Sequence, residues 1–281
     1  MSWRLEIHHA TGYRYDRAVV SSYNEARLVP CTMPGQLTLE ARIETTPAAA
    51  QYRYQDYWGT QVTAFEVPEP HDSLAVVARS VVETSAAGPP PADGPDWTGL
   101  REVRTRDLQC EFLTETPRTE ADEEMVACAA EAVAGLSPTE AVLALSDLAA
   151  DRVAYVPGST GVKTSAGEAW RLQRGVCQDI AHVSLALLRS VGLPARYVSG
   201  YLHPVPDAEV GVQVTGESHA WVEAWLGRWW PYDPTNRVPV GERHVVVARG
   251  REYGDVAPLR GVYRGQGSQA LGVRVDLTRL Q

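Results

Sequence analysis

From Trp3 to about Thr84, apolar and polar residues alternate in short runs: LEIHHATGYRYD, LTLEARIETTP, TAFEVPEP and LAVVARSVVET, broken by Pro, Gly and Asp. A period of two bounded by turn residues predicts half-buried strands, so residues 1–85 read as an N-terminal antiparallel β domain. The pattern lapses in SAAGPPPADGPDW, residues 85–97, which has almost no large apolar side chain and predicts an exposed linker over 86–100. From there residues 101–281 read as a second unit. Its period first becomes helical, in EADEEMVACAAEAVAG ending on Gly135 and in SPTEAVLALSDLAADRV, where Ser137 is placed to cap and Pro138 to open the helix.

After Gly175 a third helical stripe runs through Cys177, Ile180, Ala181, Ser184, Leu187, Leu188 and Val191, closed by Gly192 and Pro194. ESHAWVEAWL then alternates strictly, with His219, Trp221, Glu223 and Trp225 on one face and Ala220, Val222, Ala224 and Leu226 on the other. LGRWWPYDPTN predicts a turn and a return strand that Pro234 stops after Asp233. RHVVVARG and LGVRVDLTRL predict closing strands around a Gly-rich loop. The fold class expected is α+β.

The chain has 281 residues, 44% hydrophobic, with a formal charge of -9. That charge argues against a nucleic-acid groove or a polybasic membrane surface, both of which need concentrated Lys and Arg. No stretch approaches the roughly 18 apolar residues of a membrane span, and MSWRLEIHHATGYRYD has no apolar run of signal-peptide length. Cys31, Cys110, Cys128 and Cys177 are scattered with no C-x-x-C, which points to reduced thiols and a cytoplasmic setting.

Of these cysteines Cys177 alone opens a helix, where unpaired N–H groups and the helix dipole favour a thiolate. The competing reading is a small apolar residue beginning a buried stripe. His219 at a strand start is a candidate base, and Asp233 a candidate to hold its tautomer. Hairpin register decides whether they meet. A two-residue turn pairing Leu226 with Trp229 sets Asp233 on the wrong face, whereas a three-residue loop pairing Trp225 with Trp229 sets it opposite Trp221, diagonal to His219. A zinc site from Cys177, His182 and His219 is the rival chemistry.

With Cys177, His219 and Asp233 in this order, GVCQDIAH, GLPARYVSGY, HAWVEAW and DPTN resemble the transglutaminase-like superfamily of papain-like cysteine enzymes. YRYDRAV, PGQLTLEARIETTP, DYWG and PHDSLAVVARSVVE resemble the β domain that precedes this core in bacterial members. Thr60 departs from the family, where asparagine more often follows that glycine. The resemblance implies a Cys-bearing helix packed on an antiparallel sheet and a Cys177–His219–Asp233 triad acting through a thioester, with no cofactor or metal. It makes Gln178, Asp179 and His182 neighbours of the nucleophile.

The backbone N–H of Cys177 is one expected oxyanion donor; Tyr155 is a candidate second, against packing as a strand-end aromatic. Trp221 and the other tryptophans of the hairpin either line an apolar groove or pack in the core. The expected activity is that of a cysteine peptidase or amidase on a peptide, protein or small amide. Transfer to an amine, as in a transglutaminase or amide synthase, and an inactive binding module are the alternatives. The sequence leaves the oligomeric state open.

Overall fold

The computed structural model describes residues 2–266 and 269–281; Gly267 and Ser268 of the expected Gly-rich loop lie outside them. The N-terminal third holds β1 (Ser2–Val19), β2 (Ser21–Ala26), β3 (Gln36–Thr46), β4 (Gln51–Gln55), β5 (Gln61–Val67) and β6 (His71–Ser85). The end of the span expected as linker is helical instead, as α1 (Trp97–Arg101) with Leu100 buried; then come α2 (Val103–Leu108), α3 (Cys110–Leu113), α4 (Glu123–Ala132), α5 (Pro138–Arg152), β7 (Ala154–Tyr155), α6 (Ala166–Leu172), β8 (Arg174–Gly175) and α7 (Cys177–Ser190). The chain closes with β9 (Ala195–Leu202), β10 (Gln213–Trp225), β11 (Trp229–Asp233), β12 (Val238–Pro239), β13 (His244–Gly250), α8 (Tyr253–Val256), β14 (Leu259–Arg264) and β15 (Gln269–Arg279).

A mixed architecture of helices and antiparallel sheet results. One sheet runs β12-β11-β10-β15-β1-β6-β3, with β9 joined to β10 and β13 to β9. A second, β14-β2-β5-β4, covers the other end of β1, β3 and β6 across a core of Tyr15, Val19, Phe65, Leu74 and Val76. The alternation of β1 serves three places in turn. Leu5 and Ile7 enter the main core, His9, Thr11 and Tyr13 line a cleft, and Tyr15 enters the second core.

The larger sheet continues across the linker, because β15 pairs with β1 along Leu5–Tyr15 and with β10 along Gln213–Gly216. Residues from both sides of the linker therefore share the main core, Leu5 and Ile7 beside Leu187 and Val222. The linker lies along the β10–β11 hairpin: the Trp230 indole donates to Gly88 O at 3.3 Å and Arg228 to Pro89 O at 2.9 Å.

α7 is buried from Asp179 to Arg189, its polar side chains included, with α4, α5 and α6 on one side and β9 and β10 on the other. The expected caps form: Glu140 N–H donates to Ser137 Oγ at 3.4 Å, and Glu140 Oε2 accepts the Ser137 N–H at 2.8 Å. At the other end of α7, Arg189 donates to Thr119 Oγ1 and to the carbonyls of Phe112, Ala195 and Arg251, fixing the helix against β9 and α3.

Candidate active site

Cys177 is the first residue of α7, and its cap is supplied from inside the helix. Val176 cannot cap, so Asp179 Oδ2 reaches back to accept the Val176 N–H at 2.8 Å and the Thr160 hydroxyl at 2.6 Å. Burial raises the Asp179 pKa, while those hydrogen bonds oppose the rise. Gly175 is required here because a Cβ would lie 2.7 Å from Asp179 Cβ and 2.8 Å from its Oδ2. The Cys177 backbone N–H lies in this first turn, where no intrahelical acceptor exists.

Gly175→Ala is accordingly expected to turn Asp179 off its cap, lower stability by about 1 kcal/mol and slow labelling of Cys177. Urea unfolding together with alkylation kinetics checks this, and parent-like values in both would remove the cap from the account.

His219 enters from β10, and Asp233 ends β11. The hairpin has the longer loop: Trp225 pairs with Trp229, the Leu226 N–H donates to Arg228 O at 2.9 Å, and Gly227 takes a φ of 84°. That register brings His219 Nε2 to 2.8 Å from Asp233 Oδ2, while the Cys177 side chain lies beside the ring in the same cleft.

Burial opposes a charged His219 ring, but the hydrogen bonds and charges of Asp233 and Cys177 outweigh it and raise its pKa from 6.5 to about 10. Burial likewise opposes a charged Asp233, yet hydrogen bonds from His219 and His244 hold that carboxyl well below the usual carboxylate range. A histidine whose folded-state pKa exceeds its unfolded value stabilises the fold fully below about 6.5 and loses that contribution as pH rises through about 10. Cys177→Ala removes one of the two partners, so its His219 titration, followed by NMR at the ring Cε1 proton, is expected to move to lower pH. An unmoved midpoint would show that Asp233 alone sets it.

His244 and Asn236, which carry no expected role from sequence, belong to the same cluster. His244 Nε2 lies 3.1 Å from Asp233 Oδ2, and its Nδ1 accepts the Gly241 N–H at 3.2 Å. The ring is thereby fixed as the neutral Nε2–H tautomer. Asn236 Nδ2 donates to Asp233 Oδ2 at 2.7 Å, and the N–H groups of Thr235 and Asn236 donate to Oδ1 at 3.0 and 3.2 Å. The Asp-Pro-Thr-Asn turn carried a signal for this, since an aspartate side chain commonly bonds the backbone two residues on. His244 carried none, because it arrives by the long-range pairing of β13 with β9.

Ligand atoms of His219, Asp233 and His244 lie within 4.8 Å of one another, but both ring Nε2 atoms are turned onto the carboxylate. Cys177, His182 and His219 form no such group among the described residues. His182 is fully buried, accepts the Tyr253 N–H at 3.1 Å and packs on Tyr197; burial, with Arg118 and Arg189, lowers its pKa to about 3.

The remaining candidates divide. Gln178 and Tyr155 line the cleft with Cys177 and His219. Tyr155 is 46% exposed and its hydroxyl donates to Glu217 at 3.2 Å; burial first, then the charges of Cys177 and Glu217, push its pKa up to about 12. Trp221 is fully buried beneath His219 and His244, with ring centroids 6.0 and 5.3 Å away, and does not reach the cleft. Gly200 makes room for it, since a Cβ there would lie 2.7 Å from the indole and 1.9 Å from Val245 O.

The cleft holds about 460 Å³ between this core and the β1–β15 ribbon. His9, Thr11 and Tyr13 of β1 face it beside Leu271, Val273 and Val275 of β15. His9 stands in the apolar phase of β1 and is bonded to Tyr201 and Thr11 at 3.0 and 2.8 Å. Burial and His8 lower its pKa to about 4, so the wall carries no charge from it near neutrality. Among the described residues lining the cleft, Glu217 is the one carboxylate, and no Lys or Arg joins it.

This chain belongs to the transglutaminase-like superfamily: the family described as the bacterial transglutaminase-like N-terminal region matches residues 5–83, and the superfamily's core matches residues 127–234. It is 46% identical over 278 residues to an uncharacterized protein of Mycobacterium leprae (strain TN), covering 99% of each chain. It is 35% identical over 296 aligned positions to an uncharacterized protein of Mycobacterium tuberculosis (strain ATCC 25618 / H37Rv), covering 98% of this chain and 92% of that one. A crystal structure described as a "putative cysteine protease" from Cytophaga hutchinsonii superposes with a TM-score of 0.77 at 23% identity, over 100% of this chain and 92% of that one. The fold is thus the papain-like one of cysteine enzymes. Among the described residues no helix is long and apolar enough to cross a membrane.

Proposed function

We propose that this chain is a thiol-dependent acyl-transfer enzyme that opens amide or peptide bonds through Cys177, His219 and Asp233, with water as the usual acceptor. The observation that carries the proposal is one imidazole that is bonded to the Asp233 carboxylate and shares an open cleft with Cys177, whose sulfur stands at a helix start. His219 takes the proton from Cys177 Sγ, and the sulfur attacks the carbonyl carbon. The resulting oxyanion meets the backbone N–H of Cys177. The C–N bond breaks as His219 returns the proton to the leaving amine, leaving a thioester on Cys177. His219 then deprotonates water, which displaces the sulfur and releases the acid.

The largely apolar cleft suits an acyl donor with apolar side chains near the reacting carbonyl. The four cysteines are all free thiols. A second reading, transfer to an amine, is favoured by one feature: Glu217 puts a carboxylate in the cleft where an ammonium group would be held.

One experiment addresses both readings. The protein is incubated with a peptide-amide library, with and without added primary amines, and followed by intact mass and product analysis. The expected result is a hydroxylamine-sensitive acyl adduct on Cys177 that is absent from Cys177→Ala, with free acid as product. Amide products with the added amine would select transfer, and equal turnover by Cys177→Ala would end the thioester account.

A further inference from the structure

Behind the hairpin, on the side away from Cys177, lies a second cavity of about 620 Å³. The linker around Ala87 and the loop around Met33 bound it on one side, and Trp229, Trp230 and Val246 on the other. Its chemistry is unlike that of the rest of this acidic chain. Three guanidinium groups, of Arg196, Arg228 and Arg249, meet one carboxylate, Glu223, so the lining carries two uncompensated positive charges within a chain of formal charge -9. His244 also lines it and is the neutral tautomer described above.

Arg228 donates to the linker at Pro89 O, and the other two are held by the carboxylate. Arg196 and Arg249 both bond Glu223, which is buried in the sheet opposite Arg196. Arg196 Cζ lies over the Trp229 ring, 4.1 Å from its centroid, a cation–π contact that holds the guanidinium in place. Yet their donors are incompletely used. Arg249 Nη1 reaches only a sulfur among the described residues, Cys31 Sγ at 3.8 Å, and Nη2 shares itself between Glu223 and Met33 Sδ. Arg196 Nη1 has no hydrogen-bond partner among the described residues.

Sulfur is a weak acceptor, so these guanidinium edges keep donor capacity open toward the cavity. Burial lowers the Arg196 pKa against the opposing pull of Glu223, while Glu223 holds that of Arg249 up. Planar guanidinium forks match a carboxylate or phosphate edge, and a cavity of this size lies in the small-ligand range of roughly 300–1,000 Å³.

From this we infer that the cavity is a binding site for a small organic anion, its charged group on Arg196 and Arg249 and its apolar body against Trp229, Trp230 and Val246. The site is distinct from the Cys177 cleft but adjoins the Asp233 cluster, since His244 forms part of its wall and bonds Asp233.

The test is an NMR titration of the full chain with 2-naphthoate and, separately, with neutral 2-naphthamide, which differ in the charged group. The expected result is saturable shifts at the Trp229 and Trp230 indoles, the Arg196 and Arg249 Nε–H groups and the His244 ring. Naphthoate should bind at least about tenfold more tightly than naphthamide. Arg249→Gln should weaken naphthoate by a similar factor, and Arg42→Gln on exposed β3 should leave it unchanged. Equal affinity for the two probes, no saturation up to about 10 mM, or shifts confined to other residues would each overturn the inference. The comparison of the two probes in the parent protein decides it even if Arg249→Gln does not fold.

Discussion

At pH 6.5 iodoacetamide is expected to label Cys177 at least about a hundred times faster in the parent protein than in His219→Ala, the lower end of what a positioned base contributes. A free thiol is almost wholly protonated at that pH, and only the thiolate reacts. Cys177 has two aids, the first turn of α7 and an imidazole drawn toward the charged form by Asp233 on its far side. Removing His219 leaves only the helix start. Asp233 keeps His244, Asn236 and two backbone donors in that variant, so the fold around it is expected to stand. The other cysteines are internal references. Cys110 is exposed on α3, Cys128 packs half-buried in α4, and burial pushes the Cys31 thiol up against the opposing pull of Arg249. Peptide mapping reads all four at once. If Cys177 reacts no faster than Cys110, or if His219→Ala changes nothing, the thiol-enzyme proposal fails and a binding module takes its place.

Local signals in the chain carried most of what positions this cleft. The helical stripe from Cys177, the Ser137–Glu140 cap and the alternation through His219 depend on residues a few positions apart, and the corresponding elements form. The hairpin register was legible as a choice between two loops, and the three-residue loop is the one found. Pairings distant in sequence were not legible. The return of β15 to β1 builds one wall of the cleft, and neither strand's composition names its partner. His244 is 25 positions from His219 in sequence (244 minus 219), so no spacing rule joins them, and they meet only because β13 and β10 flank β9. Glu223 is the instructive miss. Its alternation placed it with His219, but only the cross-strand pairing with Arg196 shows why a carboxylate is buried there. The short helices α1, α2, α3 and α6 had too few apolar repeats for a periodic signal.

Asp233→Asn is expected to cost more than its size suggests, because every lone pair at this position already has a donor. Oδ2 faces His219 Nε2 at 2.8 Å, His244 Nε2 at 3.1 Å and Asn236 Nδ2 at 2.7 Å; Oδ1 faces two backbone N–H groups. An amide offers one oxygen, so whichever way it turns, its NH2 confronts donors. His244 cannot yield by changing tautomer without losing its Gly241 bond. His219 can yield, but only by moving its proton to Nδ1, the nitrogen left for Cys177, and a protonated Nδ1 cannot take the thiol's proton. Loss of the correct tautomer in a comparable triad lowers turnover by about 10⁴-fold, so a fall of about 10³-fold or more in acyl transfer is expected here. Each orphaned buried donor should also remove about 1–3 kcal/mol of stability. His244→Gln supplies the contrast, since it takes away one donor and leaves the His219–Asp233 bond in place; its Cys177 labelling should stay within about tenfold of the parent. Nitrogen-15 shifts of the His219 ring report the tautomer directly. An Asp233→Asn protein that keeps Nε2–H on His219 and labels Cys177 at the parent rate would show that the carboxylate holds the strand end together rather than the imidazole.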